Sequence, residues 1–266
     1  MIRFAGPADT ERIRALWEVC FPDEGGFNDW FFAHYFDPAR TLLSCEGDML
    51  CAMVQMLPYQ LTENGRQAEI TYIYGACTDP AHRRQGHMAR LLEHSFVLDR
   101  QAGRVASALI PAEPWLFDFY RPFGYEPFFR IGKRTLTRQG ESDTPRRLCE
   151  QDIPQLAALY TRLTPVCCIA RDEAYWRGQL ALFDALGAGV FGWFAGDALT
   201  AYAFCWADNA QEALGLTEAQ EQGLLQALGR DTLDVTGAGE QTALGCIKWH
   251  EEGPHAPFGY MNLMFN

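Results

Sequence analysis

The residues best suited to specific chemistry lie between positions 76 and 96, in the run ACTDPAHRRQGHMARLLEHSF. The preceding run, EITYIYGAC, is rich in β-forming residues, and Asp79-Pro80 ends that strand. Arg83-Arg84-Gln85-Gly86 then forms a basic turn. The apolar stripe of an amphipathic helix follows it, at Met88, Leu91, Leu92 and Phe96.

A basic turn that leads from a strand into a helix favours anion binding. Free N–H groups and the positive end of the helix dipole lie at such a junction. Gly86 has no Cβ, so a phosphate can approach the backbone closely, and Arg83 and Arg84 add positive charge. These residues favour phosphate binding and leave open an ordinary turn with solvated arginines.

The same turn resembles a known signature. Arg83-Arg84-Gln85-Gly86-His87-Met88 is similar to the acetyl-CoA pyrophosphate motif Q/R-x-x-G-x-G/A of the GCN5-related N-acetyltransferases (GNAT). Met88 departs from the last small residue, as it does in the branch that resembles the enhanced intracellular survival (Eis) acetyltransferases. The segment Phe119–Tyr125, FYRPFGY, also resembles that branch. The resemblance covers most of residues 1–137 well and residues 148–266 weakly.

The resemblance implies acetyl-CoA as the cosubstrate and no metal. The pantetheine arm would pair with the strand backbone, and the pyrophosphate would be held by amides of the turn. The residues thereby assigned to the cofactor are Ala76, Cys77, Thr78, Arg83, Arg84, Gln85, Gly86, His87 and Met88.

The resemblance also implies that Tyr120 is the general acid. A Tyr hydroxyl with a pKa near 10 can protonate a thiolate whose conjugate acid has a pKa near 8.5, at modest cost. A core aromatic is the alternative, because four aromatic residues surround this position in sequence.

The general base is not evident from the sequence. Glu24, Glu113 and Asp118 are candidates, although such residues are more often solvated carboxylates. Tyr72 and Tyr74 would lie on the central strand, where they line an acceptor site or pack in the core. An acetyl-Cys77 route needs a histidine base that the sequence does not place, so we expect direct transfer.

Composition excludes several classes of protein. The chain has 266 residues, 48% of them hydrophobic, which is enough for a sizeable core. Its 34 acidic and 22 basic residues give a formal net charge of −12, which argues against nucleic acid and anionic membranes as partners. A small-molecule or peptide amine is compatible with this charge, and a homo-oligomer stays open.

The nine cysteines and six histidines show no zinc spacing, and no C-x-x-C occurs. An odd number of irregularly spaced cysteines is typical of reduced thiols, which predicts a cytoplasmic protein. No signal peptide or run of about 18 apolar residues is visible.

The chain also has the pattern of a diverged tandem repeat. Three features recur in the same order: an Asp suited to an N-cap (Asp9, Asp152), a Trp (Trp30, Trp176) and a Gly-Asp hairpin signal (Gly47, Gly196). A polar segment over 135–147 separates the two copies. We therefore predict an acetyl-CoA-binding catalytic GNAT domain over 1–138 and a degenerate GNAT-like domain over 146–266.

The predicted fold class is α/β (α+β), with a mixed, largely antiparallel sheet flanked by helices in each domain. The elements expected at the cofactor site are strands over 66–77 and 104–110 and a helix over 86–101. Near the end of the chain we expect strands over 231–236, 242–249 and 258–265. The second copy has two acids and no arginine over 218–223, so we expect no cofactor turn there.

The predicted function is an acetyl-CoA-dependent N-acetyltransferase that moves an acetyl group to a primary amine in a ternary complex. A catalytically silent acyl-CoA-binding or sensing module is the alternative, and a protein-interaction module is a third reading. A further hypothesis takes the α-carboxylate of Asn266 as a group that helps to accept the amine proton. A plain buried strand at the chain end is its alternative.

Overall fold

A computed structural model describes residues 1–23 and 25–265 of the chain. Its strands are β1 (Ile2–Phe4), β2 (Thr41–Glu46), β3 (Met49–Glu63), β4 (Arg66–Thr78), β5 (Ala106–Leu109), β6 (Glu126–Thr137), β7 (Arg146–Arg147), β8 (Cys167–Ile169), β9 (Gly189–Ala195), β10 (Ala198–Cys205), β11 (Asn209–Leu214) and β12 (Thr232–Trp249). Its α-helices are α1 (Thr10–Cys20), α2 (Phe27–His34), α3 (His87–Gln101), α4 (Leu116–Tyr120), α5 (Ile153–Leu163), α6 (Glu173–Ala185) and α7 (Glu218–Ala227). No helix within 1–23 and 25–265 is long and apolar enough to cross a membrane.

The chain divides into two compact units that interleave along the sequence. Unit 1 comprises Met1–Leu61, Gln67–Pro127 and Gly245–His255, and unit 2 comprises the remainder. The two units are not two consecutive segments of the chain, because the end of β12 belongs to unit 1. The domain assignment of 1–138 and 146–266 stays a prediction.

The sheet of unit 1 positions the motif that the sequence singled out. Its strands run in the order β1-β2-β3-β4-β5, followed by the end of β12. The β1–β2, β2–β3 and β12–β5 pairs are antiparallel, whereas β4 and β5 are parallel. The parallel pair is joined by α3, as a parallel connection requires. The predicted mixed α/β class with a largely antiparallel sheet is thus confirmed.

The core of unit 1 lies between this sheet and α3. The helix places Leu91, Leu92 and Phe96 on one buried face, at the spacing that the sequence predicted. They pack with Val54 and Ile73 of the sheet. This packing fixes α3, and with it the turn at its start, relative to β4.

Unit 2 has a comparable layered arrangement. Its sheet follows the order β12-β11-β10-β9-β7, with β6 paired to β12. The β11–β12 pair is parallel, and α7 joins the two strands. The helix buries Leu224 and Leu225 against β12, where Leu233 and Val235 line the same core cluster.

Two predicted features near the chain end are wrong. One strand, β12, spans the region where two were expected. Its glycines mark close backbone approach instead of a turn, because a Cβ at Gly239 would overlap Gly132. Over the described residues 258–265 the chain forms isolated bridges at Gly259 and Tyr260, and a positive φ of 54° at Leu263 interrupts extended backbone. Met261, Leu263 and Met264 of this segment are buried, and Phe265 is half-buried.

The repeated aspartates occupy the predicted N-cap positions of α1 and α5, although their side chains do not cap these helices. Asp9 accepts two hydrogen bonds from Arg3 (2.6 and 2.8 Å) and one from the Gly6 amide (2.8 Å). Asp152 accepts two from Arg146 (3.0 and 2.6 Å) and one from the Cys149 amide (2.9 Å). The carboxylates reach back along the chain because a 3₁₀ turn precedes each helix.

The hairpin signals are confirmed, and the tryptophan match is not. Gly47 and Gly196 adopt positive φ values of 56° and 61° in the β2–β3 and β9–β10 turns. Trp176 is fully buried in unit 2, whereas Trp30 is half-buried in unit 1. The shared Arg–Asp arrangement and hairpins support duplication, which stays a proposal.

Candidate active site

The strand β4 extends well beyond its parallel partner. Ile70, Thr71 and Tyr72 pair with Ala106–Ala108, after which β5 ends at Leu109 and β4 continues to Thr78. Ala76 and Thr78 are half-buried and Cys77 is buried in this extension. The backbone proposed for the pantetheine arm therefore lies beyond the paired part of the two strands.

A glycine changes the course of β4 just before that extension. Gly75 has a φ of 56°, which is left-handed backbone within an extended strand. A Cβ at this position would overlap the six-membered ring of Trp17. Both the conformation and the close approach therefore require glycine.

The basic turn is exposed and open at the start of α3. Arg83, Arg84, Gln85 and Gly86 are all exposed. Arg84 and Gly86 have positive φ values of 64° and 79°, and Gly86, which has no side chain to cap the helix, is the N-cap residue. Arg90 crosses the turn and donates to the Gln85 carbonyl (3.0 Å). The geometry fits a phosphate group, because the helix start is exposed and uncapped and Gly86 carries no Cβ, which would lie 3.1 Å from Arg90 Nη1.

The two remaining residues of the motif face inward. His87 is buried, and its Nδ1 lies 2.9 Å from Ser44 Oγ and 3.0 Å from Arg90 Nη2. Met88 is half-buried against the core of unit 1. Their side chains hold the helix in place, so only their backbone amides are available to a ligand of the turn.

A pair of thiols lies beside the extension of β4. Cys20 Sγ is 3.7 Å from the Thr78 carbonyl oxygen, to which Arg83 Nε also donates (3.3 Å). A hydrogen bond between the two thiols and burial raise the pKa of Cys77 well above its ordinary value. The same hydrogen bond, with Arg83 nearby, lowers the pKa of Cys20. Cys77 is therefore a poor nucleophile, which agrees with direct transfer.

Tyr120 ends α4 and is buried in the core of unit 1. Its ring is 5.7 Å from the ring of Tyr125 and belongs to the cluster that includes Cys246. Burial, with a smaller effect of Cys246, raises the pKa of Tyr120 to about 12. The sequence-based value near 10 is wrong for this reason, and the hydroxyl keeps its proton throughout the neutral range.

The tyrosines of β4 form an aromatic wall in unit 1. Tyr72 and Tyr74 stack with ring centroids 6.0 Å apart, and Tyr74 contacts Trp17 (5.5 Å) and Phe31 (5.4 Å). Burial raises the pKa of Tyr74 far above its usual value. Tyr72 is buried and Tyr74 is half-buried, so these rings pack mainly in the core and only Tyr74 is partly exposed.

Two of the candidate general bases, Asp118 and Glu113, are exposed. Asp118 is exposed and pairs with Arg121 at 2.8 Å on the surface of α4. Glu113 is exposed, and its backbone carbonyl accepts from the Leu116 amide (3.0 Å). Glu24 lies outside the described residues, as does Asn266, whose carboxylate was the further candidate. The base stays unassigned.

The counterpart turn of unit 2 has a different construction. Thr217 caps α7 by accepting from the Gln220 amide, and Gln220 accepts from the Thr217 amide in return. Glu221 pairs with Arg134 at 2.7 Å, and a Cβ at Gly223 would overlap the Asp143 carbonyl. The helix start is capped, acidic and closely packed, so it offers no open anion site.

Sequence reasoning missed several residues around the site. Gly75 carried a signal, since an isolated glycine in a strand indicates a bulge or close approach. Cys20 and Lys248 gave no such signal, because contacts between residues distant in sequence place Cys20 beside Thr78 and Lys248 opposite Ser107 of β5. Lys248 lies on the β12 end that pairs with β5, 4.9 Å above the ring of Phe96, and burial lowers its pKa.

These features agree with the comparison to protein families. Residues 1–128 match the family model described as an acetyltransferase (GNAT) domain. This part of the chain belongs to the GNAT acetyltransferase family, and the protein is an acetyltransferase. No curated protein sequence matches the chain.

Solved structures share the fold over nearly the whole chain. A GCN5-related N-acetyltransferase from Anabaena variabilis has a TM-score of 0.72 and 14% identity, covering 93% of this chain and 72% of its own. One from Kribbella flavida has a TM-score of 0.68 and 17% identity, covering 94% and 71%. Eis1 from Mycobacterium abscessus has a TM-score of 0.64 and 14% identity, covering 94% and 73%. At these identities the likeness concerns the fold alone.

Proposed function

We propose that the protein is an acetyl-CoA-dependent N-acetyltransferase that transfers the acetyl group to a primary amine by direct attack. The observation that carries this proposal is the exposed, uncapped turn from Arg83 to Gly86. It follows the part of β4 that extends past its pairing with β5, after the 3₁₀ turn over Pro80–His82. The turn offers backbone amides and two arginines to a pyrophosphate. The extension offers backbone groups to the pantetheine amides.

The cofactor residues divide into two groups by what they contribute. Ala76, Cys77 and Thr78 pair with the pantetheine arm through their backbone. The amides from Arg84 to Met88, which include Gln85, Gly86 and His87, hold the pyrophosphate, and Arg83 adds charge. Because Arg83 already donates to the Thr78 carbonyl at 3.3 Å, it links the two groups.

The transfer requires a neutral amine, donors for an oxyanion and a proton for the leaving group. The amine nitrogen attacks the thioester carbonyl carbon, and backbone N–H groups of β4 stabilise the oxyanion. The C–S bond then breaks, and Tyr120 gives its proton to the departing thiolate. The ammonium proton passes to water or an unassigned base, and solvent reprotonates Tyr120.

The proposal also covers the family branch, the cellular compartment and the acceptor of this enzyme. We place it in the Eis-like tandem branch, with residues 146–266 as a degenerate GNAT-like domain that lacks a cofactor turn and has a structural or substrate-shaping role. The nine cysteines form no disulfide bond, which supports a reducing compartment such as the cytoplasm. The acceptor is a small-molecule or peptide amine.

Thiol release from acetyl-CoA tests this proposal. The protein is assayed with a panel of polyamines, aminoglycosides and peptide amines, and without any amine. We expect catalytic thiol release only with an amine, and no stoichiometric burst without one. Binding of acetyl-CoA with no turnover on any amine would contradict the transferase reaction, and a burst without amine would contradict direct attack.

A further inference from the structure

Three side chains of different chemistry converge beside the cofactor turn, although none is assigned to it. Glu46 ends β2, Cys51 lies in β3, and His82 lies in the 3₁₀ turn over Pro80–His82. Their potential ligand atoms all lie within 4.8 Å of one another. We propose that Glu46, Cys51 and His82 bind a zinc ion.

The distances suit a metal that draws the three groups together. Zinc binds His nitrogen, Cys sulfur and carboxylate oxygen at about 2.0–2.3 Å, so tetrahedral ligand atoms are about 3.5 Å apart. Closing from at most 4.8 Å requires side-chain movements of about 1 Å. Glu46 can make this movement, since its side chain is 60% exposed.

The donor set selects the kind of metal. One nitrogen, one sulfur and one oxygen donor match zinc, whereas calcium and magnesium require mostly oxygen ligands. Three protein ligands leave a fourth position for water or a substrate atom.

A second observation comes from His87, whose ring is buried beside Glu46. Arg90 can only donate, so its contact with His87 Nδ1 (3.0 Å) leaves the ring proton on Nε2. That Nε2 has no hydrogen-bond partner and lies 3.6 Å from Glu46 Oε1. A Glu46 carboxylate drawn inward by a metal can accept this proton with its second oxygen, which fixes its orientation.

His82 is oriented in a similar way. Its Nδ1 lies 3.3 Å from Asp79 Oδ1, an arrangement in which Nδ1 donates and Nε2 keeps its lone pair for a metal. Asp79 is itself held, because it accepts from the Ala81 amide (2.8 Å). Zinc would then join the β2–β3 hairpin to the loop that precedes Arg83.

Cobalt substitution tests the site without using turnover, so its outcome is independent of the proposed reaction. Untagged protein is stripped with a chelator and titrated with Co²⁺, then with Zn²⁺. We expect one equivalent of Co²⁺ to give a thiolate-to-metal absorption band, and Zn²⁺ to displace it. The band should be absent in Cys51→Ser, and Glu46→Gln and His82→Ala should weaken binding by more than about tenfold.

Two matched variants serve as controls. Cys149→Ser and His94→Ala remove an exposed thiol and an exposed imidazole elsewhere and should leave the titration unchanged. Circular dichroism checks that each variant is folded. If Cys51→Ser unfolds, the metal affinity of Glu46→Gln, which changes an exposed side chain, tests the proposal instead. A wild-type protein that gives no band, a band that persists in Cys51→Ser, or wild-type metal affinity in Glu46→Gln would overturn the proposal.

Discussion

At the scale of single residues, the burial of Tyr120 determines how readily it donates a proton. A pKa of about 12 makes its hydroxyl a weaker acid than a solvated tyrosine. The same apolar surroundings disfavour a free thiolate, so the leaving sulfur also becomes more basic once it is enclosed. Proton transfer depends on the difference between the two pKa values, which burial changes less than either value alone.

Replacement of Tyr120 by Phe should lower turnover and leave cofactor affinity nearly unchanged. The ring keeps its packing in the core, while the proton donor is lost. General acid catalysis contributes about 10²–10⁴-fold, which is the expected loss in kcat. Steady-state thiol release and calorimetric titration with CoA measure the two quantities.

Tyr125→Phe is the matched control for this change. It removes a buried hydroxyl that lies 2.7 Å from Ser107 Oγ, which should cost about 1 kcal/mol of stability. Turnover should stay close to wild type because this hydroxyl is not assigned to the reaction. Equal losses of turnover in the two variants would leave Tyr120 as a core aromatic only.

At the scale of single elements, the left-handed glycine in β4 links the packing of α1 to the candidate cofactor site. Trp17 of α1 is buried against Gly75 and donates from Nε1 to Asn28 Oδ1 (2.8 Å). The left-handed Gly75 therefore fixes both the helix and the direction of the strand that continues to Thr78.

Gly75→Ala should destabilise the protein by about 2–4 kcal/mol, from the cost of left-handed backbone and from overlap with Trp17. Gly47→Ala is the control, since Gly47 has the same φ of 56° and no atom near its Cβ position. It should lose only about 1–2 kcal/mol. Denaturant unfolding measures both, and equal losses would show that Trp17 does not restrict the site.

The elements also show what could be predicted from the sequence. The helix that begins after Gly86 and the strand that ends at Thr78 were predictable, because glycine, proline and hydrophobic period act over a few residues. The continuity of β12 was not, since its glycines meet backbone that is distant in sequence. The cluster of Glu46, Cys51 and His82 was missed for the same reason.

At the scale of the whole molecule, many titratable groups are enclosed in apolar surroundings. Burial raises the pKa of six tyrosines. In unit 2 two of them donate to Glu212, which also pairs with the buried Arg171 at 2.5 Å. The six are Tyr74, Tyr120, Tyr125, Tyr160, Tyr202 and Tyr260.

These tyrosines predict cooperative alkaline unfolding. A folded pKa above the unfolded value near 10 gives stability that is fully present below pH 10 and is lost as pH rises toward the folded pKa. The free energy of unfolding should therefore fall steadily above pH 10. Tyrosinate absorbance and circular dichroism should change together, and ionisation of these side chains near pH 10 in a folded protein would contradict the prediction.

The most direct test of the central claim is calorimetric titration of acetyl-CoA into wild type, Gly86→Val and Gly196→Val. Both glycines have positive φ, so the two changes impose similar backbone strain. A Cβ at Gly86 would lie 3.1 Å from the end of the flexible Arg90 side chain, whereas no atom lies within 4 Å of one at Gly196. Loss of two charged contacts to backbone amides is worth about 3–6 kcal/mol, so Gly86→Val should weaken binding by at least about 100-fold. Wild type and Gly196→Val should each bind one equivalent, and wild-type affinity in Gly86→Val would contradict the account.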